Sequence, residues 1–317
     1  MTSAGPSFSV IVPTRNRPKQ LAACLRALSA LDYPPDRFEV LVVDDGSEPP
    51  VEGRVSAGAL GERVIWVRLE NAGPGAARNA AAPVARGEYL AFTDDDCEPA
   101  ADWLTQLGRV LGTQPHALVG GRTVNALPGN RYAEASQIIV DTARGFFFEA
   151  DSDLRFLASN NFSVATELFR RVGGFDPSFR TAEDRDFCDR WRCAGYALTY
   201  APDAVVLHGH DLTLPSFWRQ HFGYGRGACR FHRARARRGA GSLRPALAFY
   251  RRVFASAVGG SRGGRAWSLG ALFVLWQLAN TAGFVWEAAQ RSKGLSPARN
   301  CAWPRVDSST SGRPRKL

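Results

Sequence analysis

Three consecutive aspartates, Asp94, Asp95 and Asp96, follow the apolar run Tyr89–Phe92. Adjacent carboxylates repel unless a cation lies among them, and a hard divalent ion such as Mg2+ or Mn2+ takes oxygen ligands and bridges to substrate phosphates. A solvated acidic turn has the same residues, so the run alone leaves both readings open. Asp44-Asp45-Gly46-Ser47 ends a second apolar run. Its side chains are able to hydrogen-bond a base or ribose, or to form a turn and cap a helix. Glu183-Asp184 opens a helical pattern, where acids complement the helix dipole or, if buried, serve as a general base. His208 and His210 lie two apart at a strand end, on one side of that strand, so both are placed to approach one site as metal or phosphate contacts. Gln220–Gly227 mixes glycine, aromatic and basic residues; it reads either as a clamp on an acceptor or pyrophosphate, or as a plain loop.

The elements that must position these groups alternate. Phe8–Pro13, Phe38–Val43, Val64–Leu69 and Tyr89–Phe92 are strand-like apolar runs. Between them, Arg17–Leu31 and Pro74–Ala85 carry helical spacing, the second entered through Gly73. A β-α-β-α rhythm implies a mostly parallel, Rossmann-like sheet with helices on both faces. The acidic clusters fall at the carboxyl ends of the strands, the edge where open α/β sheets bind ligands. Residues 100–200 are less regular. Ser159–Ser163 and Gly173–Asp184 stand out as islands; a helix is expected over Glu183–Ala194, closed by Gly195, and a short strand over Val205–Leu207.

Charge divides the chain. Its net +10 is the sum of −6 over residues 1–208, with 21 Lys/Arg against 27 Asp/Glu, and +16 over residues 209–317, with 19 against 3. A basic back half suits an anionic membrane surface or a phosphorylated substrate. Nucleic acid is the poorer partner, because the acidic front half would repel a phosphate backbone and the Arg230–Arg238 run has only Phe231 interleaved. Six scattered cysteines without a C-x-x-C pair fit a reducing compartment, and Met1–Ser9 has neither the basic nor the apolar region of a secretory signal. Ala246–Val258 reads as an amphipathic helix, residues 266–286 carry no charge, and residues 300–317 read as a disordered tail.

The motifs, taken in order, resemble the family 2 glycosyltransferases of GT-A fold: SVIVPTRNR (9–17), VVDDGS (42–47), ENAGPGAARNAA (70–81), GEYLAFTDDD (87–96), NNF (160–162), GGFDPSFRTAED (173–184) and HGH (208–210). Each is weak alone; their order is not. The resemblance covers about residues 7–230, roughly 70% of the chain. It implies an inverting transfer of a sugar from a nucleotide-sugar donor of UDP or dTDP type to an acceptor hydroxyl, assisted by a divalent metal, Mg2+ or Mn2+. It places Pro13, Thr14, Arg15, Asp44, Asp45, Arg78, Asp94 and Asp95 at the nucleotide, with Asp45 reading the base. It places Asp94 and Asp96 as the D-x-D pair, with Asp96, Asp94 and the late His208 at the metal, and Asp184 as the catalytic base. Asn160, Asn161, Gly174, Glu183 and His210 would border the sugar and acceptor pockets. The middle acid, Asp95, leaves open which carboxylates face the ion.

The expected organisation is therefore a GT-A domain over 1–230, with a nucleotide-sugar half (about 7–100) and an acceptor half (about 100–230). A basic helical segment over 231–299 and the tail follow. A nucleotidyltransferase is the rival enzyme, but its glycine-rich loop after the first strand is replaced here by Pro13-Thr14-Arg15-Asn16-Arg17. A non-catalytic membrane-binding module built on the basic half is the rival of another class. The uncharged 266–286 segment matches the ~20 residues that a bilayer core requires. It is interrupted by polar residues and flanked by arginines on both sides, which favours a helix lying on the inner face of the cell membrane; a packed core helix is the alternative. Cytoplasmic placement at that face, with a lipid-linked acceptor, would give the segment a purpose. The residues do not identify the sugar or the acceptor.

Overall fold

The computed structural model describes residues 5–149, 152–239, 247–259 and 264–292. The expected tail over 300–317 lies outside them. The first elements are β1 (Phe8–Thr14), α1 (Pro18–Ser29), β2 (Phe38–Asp45), β3 (Val64–Leu69), α2 (Pro74–Ala81) and β4 (Tyr89–Thr93). β1 pairs in parallel with β2 and β4, and β2 with β3. These strands are covered on both faces, which explains their nearly continuous apolar runs. Val10, Val12, Val40 and Val42 pack with Leu21, Cys24, Leu25 and Leu28 of α1, whereas the alternate residues Ile11, Leu41 and Val43 pack with Ala77 and Ala81 of α2. The period-two alternation of a strand thus serves two apolar layers at once.

The second half continues with β5 (Cys97–Pro99), α3 (Trp103–Thr113), β6 (Leu118–Asn125), α4 (Arg131–Glu149), β7 (Asn161–Ala165), α5 (Thr166–Val172), α6 (Glu183–Cys193) and β8 (Leu198–His208). One eight-stranded sheet results, in the order β3-β2-β1-β4-β7-β6-β8-β5. The half made of β1–β4 is parallel; beyond β4, β7 runs antiparallel to both neighbours, β6 and β8 pair in parallel, and β5 lies antiparallel to β8. The Ser159–Ser163 island, expected to be irregular, contributes β7. The strand expected over Val205–Leu207 extends back to Leu198, because β6 pairs with 198–201 as well as with 205–208, on either side of a register shift between Gly121 and Arg122.

Three further helices follow among the described residues: α7 (Leu214–Arg237), α8 (Leu247–Gly259) and α9 (Gly264–Ser292). The Gln220–Gly227 tract is not a loop, as one reading had it, but the middle of α7. Its glycines serve close packing. A Cβ on Gly225 would fall 2.0 Å from the Asn280 carbonyl oxygen, and one on Gly283 would fall 2.0 Å from that of Phe222, so α7 and α9 touch backbone to backbone. Glu287 of α9 is buried and receives Arg226 at 3.0 Å and Arg230 at 2.6 Å. The boundary expected at 230 falls inside α7, and the helices share a core with α4 in which Ile139, Phe217, Phe249, Phe273 and Trp276 meet.

Candidate active site

β1, β2 and β4 end side by side, so their carboxyl ends deliver Pro13-Thr14, Asp45 and Asp94–Asp96 to one edge. The N-terminus of α6, the end of β8 and the middle of α7 close the opposite side. The cleft between them has a volume of about 560 Å3. It brings together Pro13, Thr14, Arg15, Asp45, Arg78, Asp94, Asp95, Asp96, Asn160, Glu183, Asp184, His208 and His210.

The acidic triplet resolves into two roles. Asp95 turns back into the body, where Thr14 donates to it at 2.7 Å and Arg17 at 3.2 Å; burial nevertheless pushes its pKa up to about 6. Asp94 is the most exposed of the three, and Asp96 faces His208, whose Nε2 lies 3.3 Å from Asp96 Oδ1. Burial opposes ionisation of Asp96, but the hydrogen bond and charge of His208, with Arg17 at 2.8 Å, hold it well below the usual carboxylate range. For His208 the same partner outweighs burial and raises the pKa. His210, ring to ring with His208 at 4.8 Å, is held at about 4 by burial and by its neighbour.

Asp94, Asp96 and His208 offer carboxylate oxygens and an imidazole nitrogen on one wall. That donor set suits Mn2+, and Mg2+ less well because of the imidazole. The Cys97 thiol also lies near Asp96 and His208 but is wholly buried, and a soft ligand is foreign to such an ion.

Across the cleft, Arg78 is buried and donates to Asp94 at 2.6 Å and to Glu183 at 3.1 Å. Glu183, buried and beside Asp184, is raised to about 7. Asp184 is half-buried and is likewise raised by its surroundings, although the positive Arg185 works against the shift. Carboxylates whose pKa values are raised toward neutrality are suited to taking a proton. At the other end, Asp45 accepts from the backbone N–H groups of Ala72 and Gly73 at 2.6 and 2.9 Å. The turn depends on Gly73, with φ at +98° and Arg180 lying where a Cβ would sit.

Three expected site residues lie outside the cleft. Asp44 accepts from Ser47 N (2.7 Å), Val51 N (3.1 Å) and Arg68 (2.9 Å), so its carboxylate is spent on the loop after β2. Asn161 lies within the sheet, accepting from Trp103 Nε1 at 2.8 Å and donating to the carbonyls of Arg122 and Ala204. Gly174 holds a left-handed turn against Asn79, where a Cβ would be 2.5 Å from Oδ1. Conversely, the cleft includes Arg17, Asn71, Phe156, Arg180 and Arg185, which the sequence reading did not single out. Arg17 did carry a signal: a cation at the N-cap of α1 opposes the helix dipole, so it must be held by something else.

A sequence model described as Glycosyl transferase family 2 matches residues 9–173. Glycosyltransferase AglE of Haloferax volcanii is 31% identical over 211 residues, which are 66% of this chain and 68% of that protein. Pre-mycofactocin glycosyltransferase of Mycobacterium tuberculosis is 31% identical over 229 residues, 70% of this chain and 47% of its own. The chain thus spans about two thirds of the first and about half of the second. Among solved structures, the mannosyltransferase PcManGT from Pyrobaculum calidifontis, in complex with GDP-Man and Mn2+, superposes with a TM-score of 0.61 at 20% identity, over 92% of this chain and 88% of that one.

Proposed function

The chain belongs to glycosyl transferase family 2, enzymes that transfer sugars, and has their GT-A fold; from that premise we propose that it moves a sugar with inversion from a nucleotide-sugar to an acceptor hydroxyl, with Asp184 as base. The observation that carries the reading is the arrangement around Arg78. One guanidinium joins Asp94, on the wall with Asp96 and His208, to Glu183, the neighbour of Asp184. The groups suited to a diphosphate leaving group and the group suited to a proton therefore share one cleft.

In this reading the nucleoside rests against Pro13, Thr14, Arg15 and Asp45, with the base of UDP or dTDP type. Asp94, Asp96 and His208 would hold a divalent ion, which when bound neutralises charge on the departing diphosphate. Asp184 takes the proton of the acceptor hydroxyl. The acceptor oxygen bonds to the anomeric carbon as the bond from that carbon to the phosphate oxygen breaks, and the nucleoside diphosphate departs with the electron pair. Asn160 and His210 border the space between, where the sugar would lie. No nucleophilic serine or cysteine is required.

The direct test is a thermal-shift panel of UDP, dTDP and GDP, each with and without Mn2+, since a ligand of the native state raises the melting temperature by mass action. A shift with one diphosphate supports the reading; no shift with any of them overturns it.

Location belongs to the same proposal. α9 is long and apolar enough to cross a bilayer, yet its inner face is fixed to α7. Its outward face shows Trp267, Val274, Leu278 and Val285, spaced by 7, 4 and 7 residues and 50–83% exposed. Seven and four residues are two turns and one turn of helix, so these side chains form one stripe. The part of the chain that carries it is strongly basic. A stripe of this kind, ended by tryptophan and surrounded by arginines, suits the inner leaflet of a cell membrane, with α9 lying on it.

A further inference from the structure

Most arginines around the cleft are committed. Arg17 binds Asp95 and Asp96, Arg78 binds Asp94 and Glu183, and Arg15 donates to Asn71. Arg180 and Arg185 also line the cleft, and neither guanidinium makes a hydrogen bond or ion pair with any described residue; of the two, Arg185 stands beside Asp184. It lies over the Phe156 ring, 4.5 Å from the centroid, which fixes the plane of the fork and leaves its N–H edge free. The Tyr224 hydroxyl, on the same side, has no hydrogen-bond partner among the described residues either. Two strong donors without acceptors thus flank the base.

We propose that Arg185 and Tyr224 bind a phosphate group carried by the acceptor, so that the acceptor is a phosphate ester whose attacking hydroxyl lies close to its phosphate. This rests on the glycosyltransferase reading of the same cleft. A planar guanidinium with a free edge matches two phosphate oxygens, and a phenolic O–H supplies a third hydrogen bond. The position separates this phosphate from the donor's. Arg17 binds Asp95 at 3.2 Å and Asp96 at 2.8 Å, on the wall where Asp96 faces His208. Arg185 lines the cleft with Asp184 and Tyr224, stacked on Phe156. It is bound to none of the carboxylates of the wall that suits the diphosphate. Its stacking on Phe156 also explains why an unpaired cation persists beside a carboxylate: the ring holds the guanidinium beyond contact with Asp184 while leaving it open to the cleft.

Phenyl phosphate is the probe, titrated by calorimetry into full-length protein already saturated with UDP and Mn2+. Saturable binding is expected, absent with phenol, and about tenfold or more weaker in Arg185→Gln, in line with a charge-assisted hydrogen-bonded pair. Tyr224→Phe should weaken it less, and Arg185→Lys should retain part of it. UDP affinity should be the same in every variant, which also reports that each is folded. Equal phenyl phosphate binding by the wild type and Arg185→Gln overturns the proposal. So does binding that disappears once UDP is present, because the phosphate would then have occupied only the donor site. Failure of UDP and the other diphosphates to bind the wild type would instead overturn the parent reading, and this proposal with it.

Discussion

Asp94 and Glu183 meet on a single guanidinium: Arg78, wholly enclosed, donates from Nη2 to the first and from Nη1 to the second. The pair joins the end of β4 to the start of α6, elements that come from different halves of the chain. Removing one partner of a buried ion pair leaves an uncompensated charge, which costs about 3–5 kcal/mol. Arg78→Ala should therefore lower stability in urea unfolding by roughly that amount. Combining it with Glu183→Gln should recover a substantial part. Strict additivity of the two substitutions would show that the residues are not coupled.

Asp184→Asn retains the shape of the base and removes its ability to take a proton. Transfer should fall by about 100-fold or more, while nucleoside diphosphate affinity stays unchanged. The rate should also depend on pH. Burial raises the pKa of Asp184 above that of an ordinary carboxylate. Protonation as pH falls disables the base, so kcat should begin to decline at a higher pH than an ordinary carboxylate would give. Turnover by the variant at the wild-type rate would reduce Asp184 to a helix-start acid.

Nucleoside diphosphate binding should be much weaker in EDTA than in Mn2+. Asp96→Ala should abolish that difference, and His208→Ala should diminish it. Calorimetry decides the matter: equal affinity of the wild type in EDTA and in Mn2+ would remove the metal from the site.

How much of this was legible in the sequence depends on how locally each feature is encoded. β1, β2, β3, β4, α1 and α2 were readable because their apolar runs and helical spacing are complete within each segment. Asp94–Asp96 and Glu183–Asp184 were readable for the same reason. β7 was not, since Asn160-Asn161-Phe162-Ser163 looks polar; Asn161 is tolerated inside the sheet only because Trp103, Arg122 and Ala204, distant in the chain, satisfy its amide. Asp44 and Asp45 are indistinguishable by type, and Arg68, across a strand pair, draws the first away from the cleft. The glycines of α7 resembled a loop because the cause of their conservation of space, the backbone of α9, lies some 60 residues later.

That contact yields its own prediction. Gly283→Val places a side chain where the Phe222 carbonyl lies, and no rotamer relieves a clash with backbone. Overpacking costs typically about 1–3 kcal/mol, and more where the obstacle is rigid. The variant should melt markedly lower. Gly270→Ala on the same helix, where a Cβ meets nothing within 4 Å, should be neutral or slightly stabilising. Equal melting temperatures for the two would show that α7 and α9 are not in close contact.

The last prediction separates a helix that lies on a membrane from one that crosses it. To span a bilayer, α9 would have to leave α7, breaking the Arg226–Glu287 and Arg230–Glu287 pairs and exposing the surface around Gly225 and Gly283. α7 cannot follow, because Gly223 accepts a hydrogen bond from Thr181, two residues before Glu183, and Tyr224 lines the cleft. The stripe of Trp267, Val274, Leu278 and Val285 is therefore free to meet lipid only from outside. The protein should sediment with vesicles containing phosphatidylglycerol and much less with pure phosphatidylcholine. High salt should release part of it, because charge is screened while apolar burial persists. Combining Trp267→Ser, Leu278→Ser and Val285→Ser, all at exposed positions, should abolish sedimentation and leave the melting temperature and nucleotide binding nearly unchanged. If the wild type stays in the supernatant with anionic vesicles at low salt, α9 has no membrane role. If alkaline carbonate fails to extract it from membranes, the helix is inserted and the surface reading is wrong.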